Sequence, residues 1–305
     1  MARVLIGTCS WTDPTLIESG RFYPPECKTA EARLRYYAHH FPLVEVDSSY
    51  YGLPNERNAA LWAERTPGGF VFDVKAFSLF THHPTPLSAL PRDVREGLPR
   101  AASREKRLYL RDVPPESVAE LWQRFRSALL PLRSAGKLGA ILLQFPPWFT
   151  ISRERRAYLE AARAELEGWP VAVEFRGGGW LDERNRDETF DLLRRTDSAF
   201  VCVDEPQGFR SSAPPVTAVT AELALVRFHG RNAAAWERPG QTAAQRFDHW
   251  YGEDELVEWV PRIQGVAQQA AEVHLLMNTN YQDQGIVNAR RLADLLGGQT
   301  ALELE

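Results

Sequence analysis

The sequence predicts a single (β/α)8 barrel of the α/β class. Three observations carry this: eight short apolar runs of strand character, an amphipathic stretch behind most of them, and 305 residues without a linker-like break. The expected strands are Val4–Cys9, Leu43–Ser49, Phe70–Ala76, Leu138–Phe145, Val171–Arg176, Ala199–Asp204, Ala224–His229 and Val273–Asn278. Helical periodicity follows the first run in Thr29–His40 and the second in Asn55–Arg65, with Asn55 as the expected cap. It returns in Ser117–Ser134, Ser152–Leu166, Asp187–Arg195, Glu253–Ala271 and Gln284–Leu296. Only Glu205–Ala221, short and proline-rich, lacks it. No Gly-x-Gly-x-x-Gly turn follows the first strand, which argues against an open dinucleotide-binding sheet.

Two connections exceed simple turns. Residues 76–116 are proline-rich and carry His82-His83; residues 230–252 carry Trp236, Trp250 and Tyr251. Both leave strand C-termini, the face where a barrel keeps its chemistry, and are expected to form lids or walls there. The last four residues, Leu302 to Glu305, resemble a vector-derived tail.

The chain is 44% hydrophobic and 25% charged, with a formal net charge of −4. This is the composition of a soluble globular protein, and it argues against a generally basic nucleic-acid binder. No apolar run approaches the roughly 18 residues that span a bilayer, so no membrane partner is expected. Cys9, Cys27 and Cys202 have unrelated spacings that suit neither a disulfide framework nor a zinc knuckle. With no signal-peptide pattern at the N-terminus, the expected location is the cytoplasm.

Strand parity then sorts the polar residues. In Val171-Ala172-Val173-Glu174-Phe175-Arg176 one face is wholly apolar, so Glu174 and Arg176 are expected to point at the barrel axis. The same reasoning turns inward Glu45 and Asp47, Asp73 and Lys75, Arg227 and His229, and His274, Asn278 and Asn280. Gln144 and Asp204 are expected to complete the set at their strand ends. Mixed charge at this density must be paired or bound to ligand. The first reading is an enzyme with a polar pocket for a small anionic ligand, a phosphorylated sugar or a nucleotide. Arg176, Arg227, Arg231 and Lys75 would hold the anion; Glu174 and Asp47 would move protons with His229 in reserve, and Lys75 joins them in the catalytic set of a hydrolase or isomerase acting on a phosphorylated substrate. Asn232 beside Arg231, with Trp11, Tyr50 and His82 past other strand ends, would add contacts. No metal ligand set is assigned and no cofactor is expected: there is no His-x-His or His-Glu-x-x-His, and cations crowd the inward ring. The alternatives are a metal-dependent phosphodiesterase acting on nucleic acid, with a divalent metal as its one cofactor, and a non-catalytic binding module.

Ordered motifs carry a resemblance over roughly Val4 to Leu296. They are Ile6-Gly7-Thr8-Cys9-Ser10-Trp11, Arg21-Phe22-Tyr23-Pro24, Val44-Glu45-Val46-Asp47-Ser48-Ser49-Tyr50-Tyr51-Gly52-Leu53-Pro54, and Phe72-Asp73-Val74-Lys75-Ala76 with Thr81-His82. Then come Leu142-Leu143-Gln144-Phe145-Pro146-Pro147, Val173-Glu174-Phe175-Arg176, Arg227-Phe228-His229-Gly230-Arg231, and Asn278 with Asn288-Ala289. The chain resembles the YecE-like family, known as domain of unknown function 72. The resemblance implies a TIM barrel and no settled activity. Members have been likened to the endonuclease IV and sugar isomerase barrels, which use divalent metals, a likeness of fold alone. Where the family commonly has a His and a Ser before Trp, this chain has Gly177, Gly178 and Gly179 before Trp180; where it commonly reads Asn-Asn-His, this chain reads Asn278-Thr279-Asn280. Both departures remove imidazoles and lower the expectation of a His-based metal site.

Overall fold

The eight apolar runs pair in parallel and close on themselves in a computed structural model that describes residues 2–298, so the Leu302–Glu305 tail lies outside the described residues. The strands are β1 (Arg3–Thr8), β2 (Leu43–Val46), β3 (Val71–Lys75), β4 (Leu138–Phe145), β5 (Val171–Phe175), β6 (Ala199–Asp204), β7 (Leu223–Phe228) and β8 (Glu272–Met277). Each pairs with its neighbours in chain order, and β8 returns to β1 in the register Val4↔Val273 and Ile6↔Leu275. Gly7 permits the short seam between β1 and β2: a Cβ there would sit 1.9 Å from the Leu43 carbonyl oxygen.

The outer layer is α1 (Ala30–Ala38), α2 (Glu56–Glu64), α3 (Pro115–Ser134), α4 (Arg153–Glu165), α5 (Arg186–Arg195), α6 (Val260–Ala267) and α7 (Gln284–Leu295). Local chemistry starts several of them. Thr29, Asn55 and Ser152 each accept a backbone N–H of the first turn with the side chain, and Pro115 opens α3 where its missing N–H costs nothing. The amphipathic stretch Glu253–Ala271 is not one helix. It divides into Glu253–Val257 and α6, with Pro261 in the first turn of α6. Among the described residues no helix lies between β6 and β7. Pro206, Pro214 and Pro215 interrupt that stretch, and Thr220 instead ties it to the sheet by accepting the Phe200 N–H and donating to the Ser198 carbonyl.

Residues 77–116 fold mainly down the outside of the barrel. Phe80 stacks on Trp122 of α3 with centroids 3.6 Å apart, and Asp93 pairs with Arg124 of the same helix. The segment 230–252, with a short helix at Ala243–Arg246, stays on the C-terminal face.

Val44, Val46, Phe72, Val74, Phe175 and Phe228 belong to the large apolar layer between sheet and helices, while Leu5, Cys9, Leu43, Val71 and Leu276 form a small cluster of their own. At the N-terminal end of the barrel His274 Nδ1 lies 2.9 Å from Asp73, and its Nε2 lies 2.7 Å from Glu272, which pairs with Arg3. Gly139 makes room for this group: a Cβ there would meet Asp73 Oδ1 at 2.5 Å and His274 Cε1 at 2.7 Å. Burial works against the imidazolium, but the two carboxylates outweigh it and push His274 up to about 9.

A folded-state value above the unfolded one means that the charged network stabilises the fold fully below about pH 6.5, the unfolded value, and is lost as pH rises through about 9. Urea unfolding at pH 6 and pH 9.5 is expected to show that loss, and His274→Gln to abolish the difference. A slope identical in the variant would assign the pH dependence to other groups.

Candidate functional site

Arg227 of β7 crosses the barrel interior with no exposed surface. Its Nε and Nη2 donate to the two oxygens of Glu45 on β2 at 2.9 and 2.7 Å, and its Nη1 donates to Glu174 Oε2 on β5 at 2.5 Å. Nη2 also lies 3.5 Å from the Cys9 sulfur. Four of its five N–H donors are engaged and the group is sealed from solvent, so no ligand at the mouth reaches it. Burial and nearby acids push the Cys9 thiol well up, which makes it a packed, unreactive group.

The other oxygen of Glu174, Oε1, accepts from Gln144 Nε2 at 2.7 Å and His229 Nε2 at 2.9 Å, with Arg176 Nη1 at 3.5 Å. A directional chain fixes the imidazole. Asn280 Nδ2 donates to Asn278 Oδ1, and Asn278 Nδ2 to His229 Nδ1 at 2.8 Å, which leaves the ring proton on Nε2 facing Glu174. Burial pushes His229 down to about 3, so it is neutral. Burial alone would raise Glu174, but Arg227 and its neighbours hold it well below the usual carboxylate range. Glu174 is thus a saturated, fully buried anion, a poor fit to the proton-carrying role expected from the sequence. Burial, opposed by the pull of Arg227 and helped by the nearby Asp47, raises Glu45 above the usual carboxylate value.

Two cations are held differently. Lys75 Nζ lies 3.6 Å from Asp47 and 4.8 Å from the Tyr50 ring centroid. Arg176 lies 3.4 Å from Glu205 and 3.5 Å from Glu174, with its guanidinium 4.8 Å from the Trp236 ring centroid. Lys75, Asp47 and Gln144 open onto a cavity of about 460 Å³ at the barrel mouth. Trp11 and Asn278 form one side of it, and Ala243 and Phe247 from the 230–252 segment form another. Trp11 packs edge-on against Trp62, and its Nε1–H has no acceptor. Ser10, with φ of 113°, holds the strained backbone that turns Trp11 to this wall.

The structure corrects several placements. Asp204 does not face the axis. Its carboxylate accepts from Trp259 Nε1 at 2.9 Å, Tyr251 Oη at 2.6 Å and Arg231, among the rings that pack on the helix side of Phe228. Arg231 is spent on Asp204 and Glu258, and Asn232 donates to the Asp248 carbonyl, so both serve the loop. Glu205 takes the inward position instead, and burial pushes it up to about 7. Both faces of β6 are apolar, so parity had no purchase there. His82 packs against Phe149 and Tyr158; its neighbour His83 is the imidazole near the mouth, edge-on to Tyr50 and close enough to feel Lys75 and Arg176. Trp236, over Arg176, carried no strand pattern that could have placed it. Among the described residues no three His, Cys, Asp or Glu side chains converge as metal ligands, and the site's one buried imidazole is flanked by guanidiniums.

The model of the family described as "Protein of unknown function DUF72" matches residues 5–304. The UPF0759 protein YunF of Bacillus subtilis is 32% identical over 96% of this chain and 94% of its own length. A crystal structure of a DUF72 family protein from Enterococcus faecalis superposes with a TM-score of 0.77 at 27% identity, covering 96% of this chain and 95% of the other. One from Thermotoga maritima gives 0.73 at 28% identity, covering 96% and 98%. No helix among the described residues is long and apolar enough to cross a membrane.

Glu174→Gln removes the anion that Arg227 and Arg176 share in a dry interior. It is expected to lower unfolding free energy by about 3 kcal/mol in urea titration. An unchanged midpoint would show that Glu45 alone satisfies Arg227.

Proposed function

The chain belongs to the DUF72 family of TIM-barrel proteins, and we propose that its barrel mouth binds a small phosphorylated ligand and moves a proton on it. One contrast carries this reading. Arg227 is fully buried and held at 2.5–2.9 Å by Glu45 and Glu174, whereas Lys75 and Arg176 have no carboxylate oxygen nearer than 3.4 Å and keep 15% and 14% of their side chains exposed. Loosely paired cations beside aromatic faces suit a phosphoryl group better than a closed ion-pair network does.

Lys75 is on the cavity wall, and Arg176 approaches the same Glu174 oxygen that the cavity-lining Gln144 binds. A phosphoryl group drawn between them would gain the guanidinium's two-pronged geometry and the ammonium's point charge. The free Trp11 Nε1–H supplies a neutral donor and Asn280 an amide. Asp47 is the inward carboxylate with real exposure, 24% of its side chain, and lies beside Lys75. It is the proton carrier in this reading. Glu174 and His229 then position: they hold Gln144 and the Asn278–Asn280 pair at the cavity wall. The donor set does not fit a divalent metal, so the metal-dependent alternative gains nothing here.

Inorganic phosphate and AMP are the first probes, read by calorimetry. Lys75→Met and Arg176→Met are each expected to weaken binding about tenfold, roughly 1.4 kcal/mol. Asp47→Asn is expected to retain the ligand and lose turnover once a converted substrate is found. Wild-type affinity in both cation variants would end the proposal.

Binding should also follow pH. Glu205 competes with the ligand for Arg176, and its carboxyl is pushed up to about 7. Below that pH it is neutral and Arg176 is released; above it the carboxylate reclaims the guanidinium. Because the phosphate itself gains charge in the same range, the expected readout is the wild-type affinity relative to Glu205→Gln, which falls as pH rises through about 7. A profile unchanged in that variant would show that Glu205 does not compete.

A further inference from the structure

Beside the mouth lies a second, open groove of about 540 Å³. Trp148, Arg210, Trp236, Arg238 and Arg246 line it, contributed by the segments after β4, β6 and β7. Among the described residues none of these three arginines forms a salt bridge, whereas Arg35, Arg124, Arg156 and Arg194 elsewhere on the surface each do. The groove's one carboxylate, Glu237, is turned to the Ser211 backbone N–H at 2.8 Å. Two donors at the groove lack acceptors: the Nε1–H of Trp236, a residue only 2% exposed, and the Nε–H of Arg246. A buried donor without an acceptor is costly to leave so. Trp148, 49% exposed, offers a flat aromatic face at the rim.

The groove and the mouth share a wall. In the short helix Ala243–Arg246 and its cap, Ala243 and Phe247 line the mouth while Arg246 lines the groove. Trp236 lines the groove and carries Arg176 against its ring. Trp236 therefore stands between Arg176 and the groove that the three unpaired guanidiniums line.

We propose that this groove is a second phosphoryl subsite, and that the ligand of the barrel mouth is a nucleoside carrying two separate phosphoryl groups. The inference rests on the reading of the mouth as a phosphoryl site and extends it. Three guanidiniums and an indole N–H supply donors for phosphoryl oxygens, and the exposed Trp148 ring supplies a face for a base.

The test compares AMP with adenosine 3′,5′-bisphosphate on the full chain, by calorimetry and by hydrogen–deuterium exchange. The bisphosphate is expected to bind about tenfold tighter than AMP and to protect residues 236–246 as well as residues 47–51. In the double variant R210A/R238A that gain is expected to vanish while AMP affinity is kept. Equal affinities in the wild type, or a gain retained in the double variant, overturns the second subsite. Protection of 47–51 without 236–246 removes the groove and leaves the mouth reading standing. Protection of 236–246 alone sinks the mouth reading and retains a phosphoryl site in the groove, and no binding of either probe at millimolar concentration overturns both. A gain that survives substitution of the base by a bare ribose bisphosphate would overturn the nucleoside assignment.

Discussion

The interior of this barrel depends on one guanidinium. Arg227 is sealed from water, and a charge so placed is tolerable only if its donors are met by oriented anions. Glu45 from β2 and Glu174 from β5 meet it from opposite sides, so a single side chain couples strands that are not neighbours in the sheet. Removing either acid would leave a charge stranded in a low-dielectric core. The identities of the inward residues at this level are therefore not independent of one another.

Rigidity then spreads outward toward the mouth. With one oxygen of Glu174 committed to Arg227, the other orients Gln144 and His229, and His229 in turn is oriented by Asn278 and Asn280. The His229 proton has one place to be, on Nε2 facing Glu174, because Asn278 donates to Nδ1. What is left at the top is less constrained. Lys75 and Arg176 have long ion pairs and aromatic neighbours, and Asp47 keeps contact with the cavity. A saturated floor beneath an unsaturated rim is how a barrel can be stable and still present groups to a ligand. A separate charged cluster, His274 with Asp73 and Glu272, closes the opposite end and has no part in this rim.

Much of this was readable along the chain, and the failures have specific causes. In β5 and β7 one face is wholly apolar, and so Glu174, Arg176, Arg227 and His229 could be turned inward from alternation alone. In β6, Phe200 and Cys202 oppose Val201 and Val203, both faces are apolar, and the alternation had no sign. Alternation therefore does not separate Asp204 from Glu205, and it is Glu205 that reaches Arg176 while Asp204 meets Trp259. His82 and His83 are adjacent in a loop, where no period sorts neighbours; the αL backbone of His82, with φ of 59°, sends one ring to Phe149 and the other toward Tyr50. Arg231 and Asn232 follow His229 directly, but the chain leaves the strand at Gly230 with φ of 82° and parity ends there.

The sequence by itself determined the barrel, its strand order and the inward set wherever a strand had one apolar face, because burial in a two-sided sheet leaves a charged residue only one place to go. Tertiary structure alone decided which of those charges are spent and which are spare. Whether an arginine is a structural clamp or a free donor depends on how many acceptors the rest of the fold brings within hydrogen-bonding distance, and those come from residues as far apart as Glu45, Glu174 and Arg227. No local pattern records that count, since it is set by the closure of the barrel.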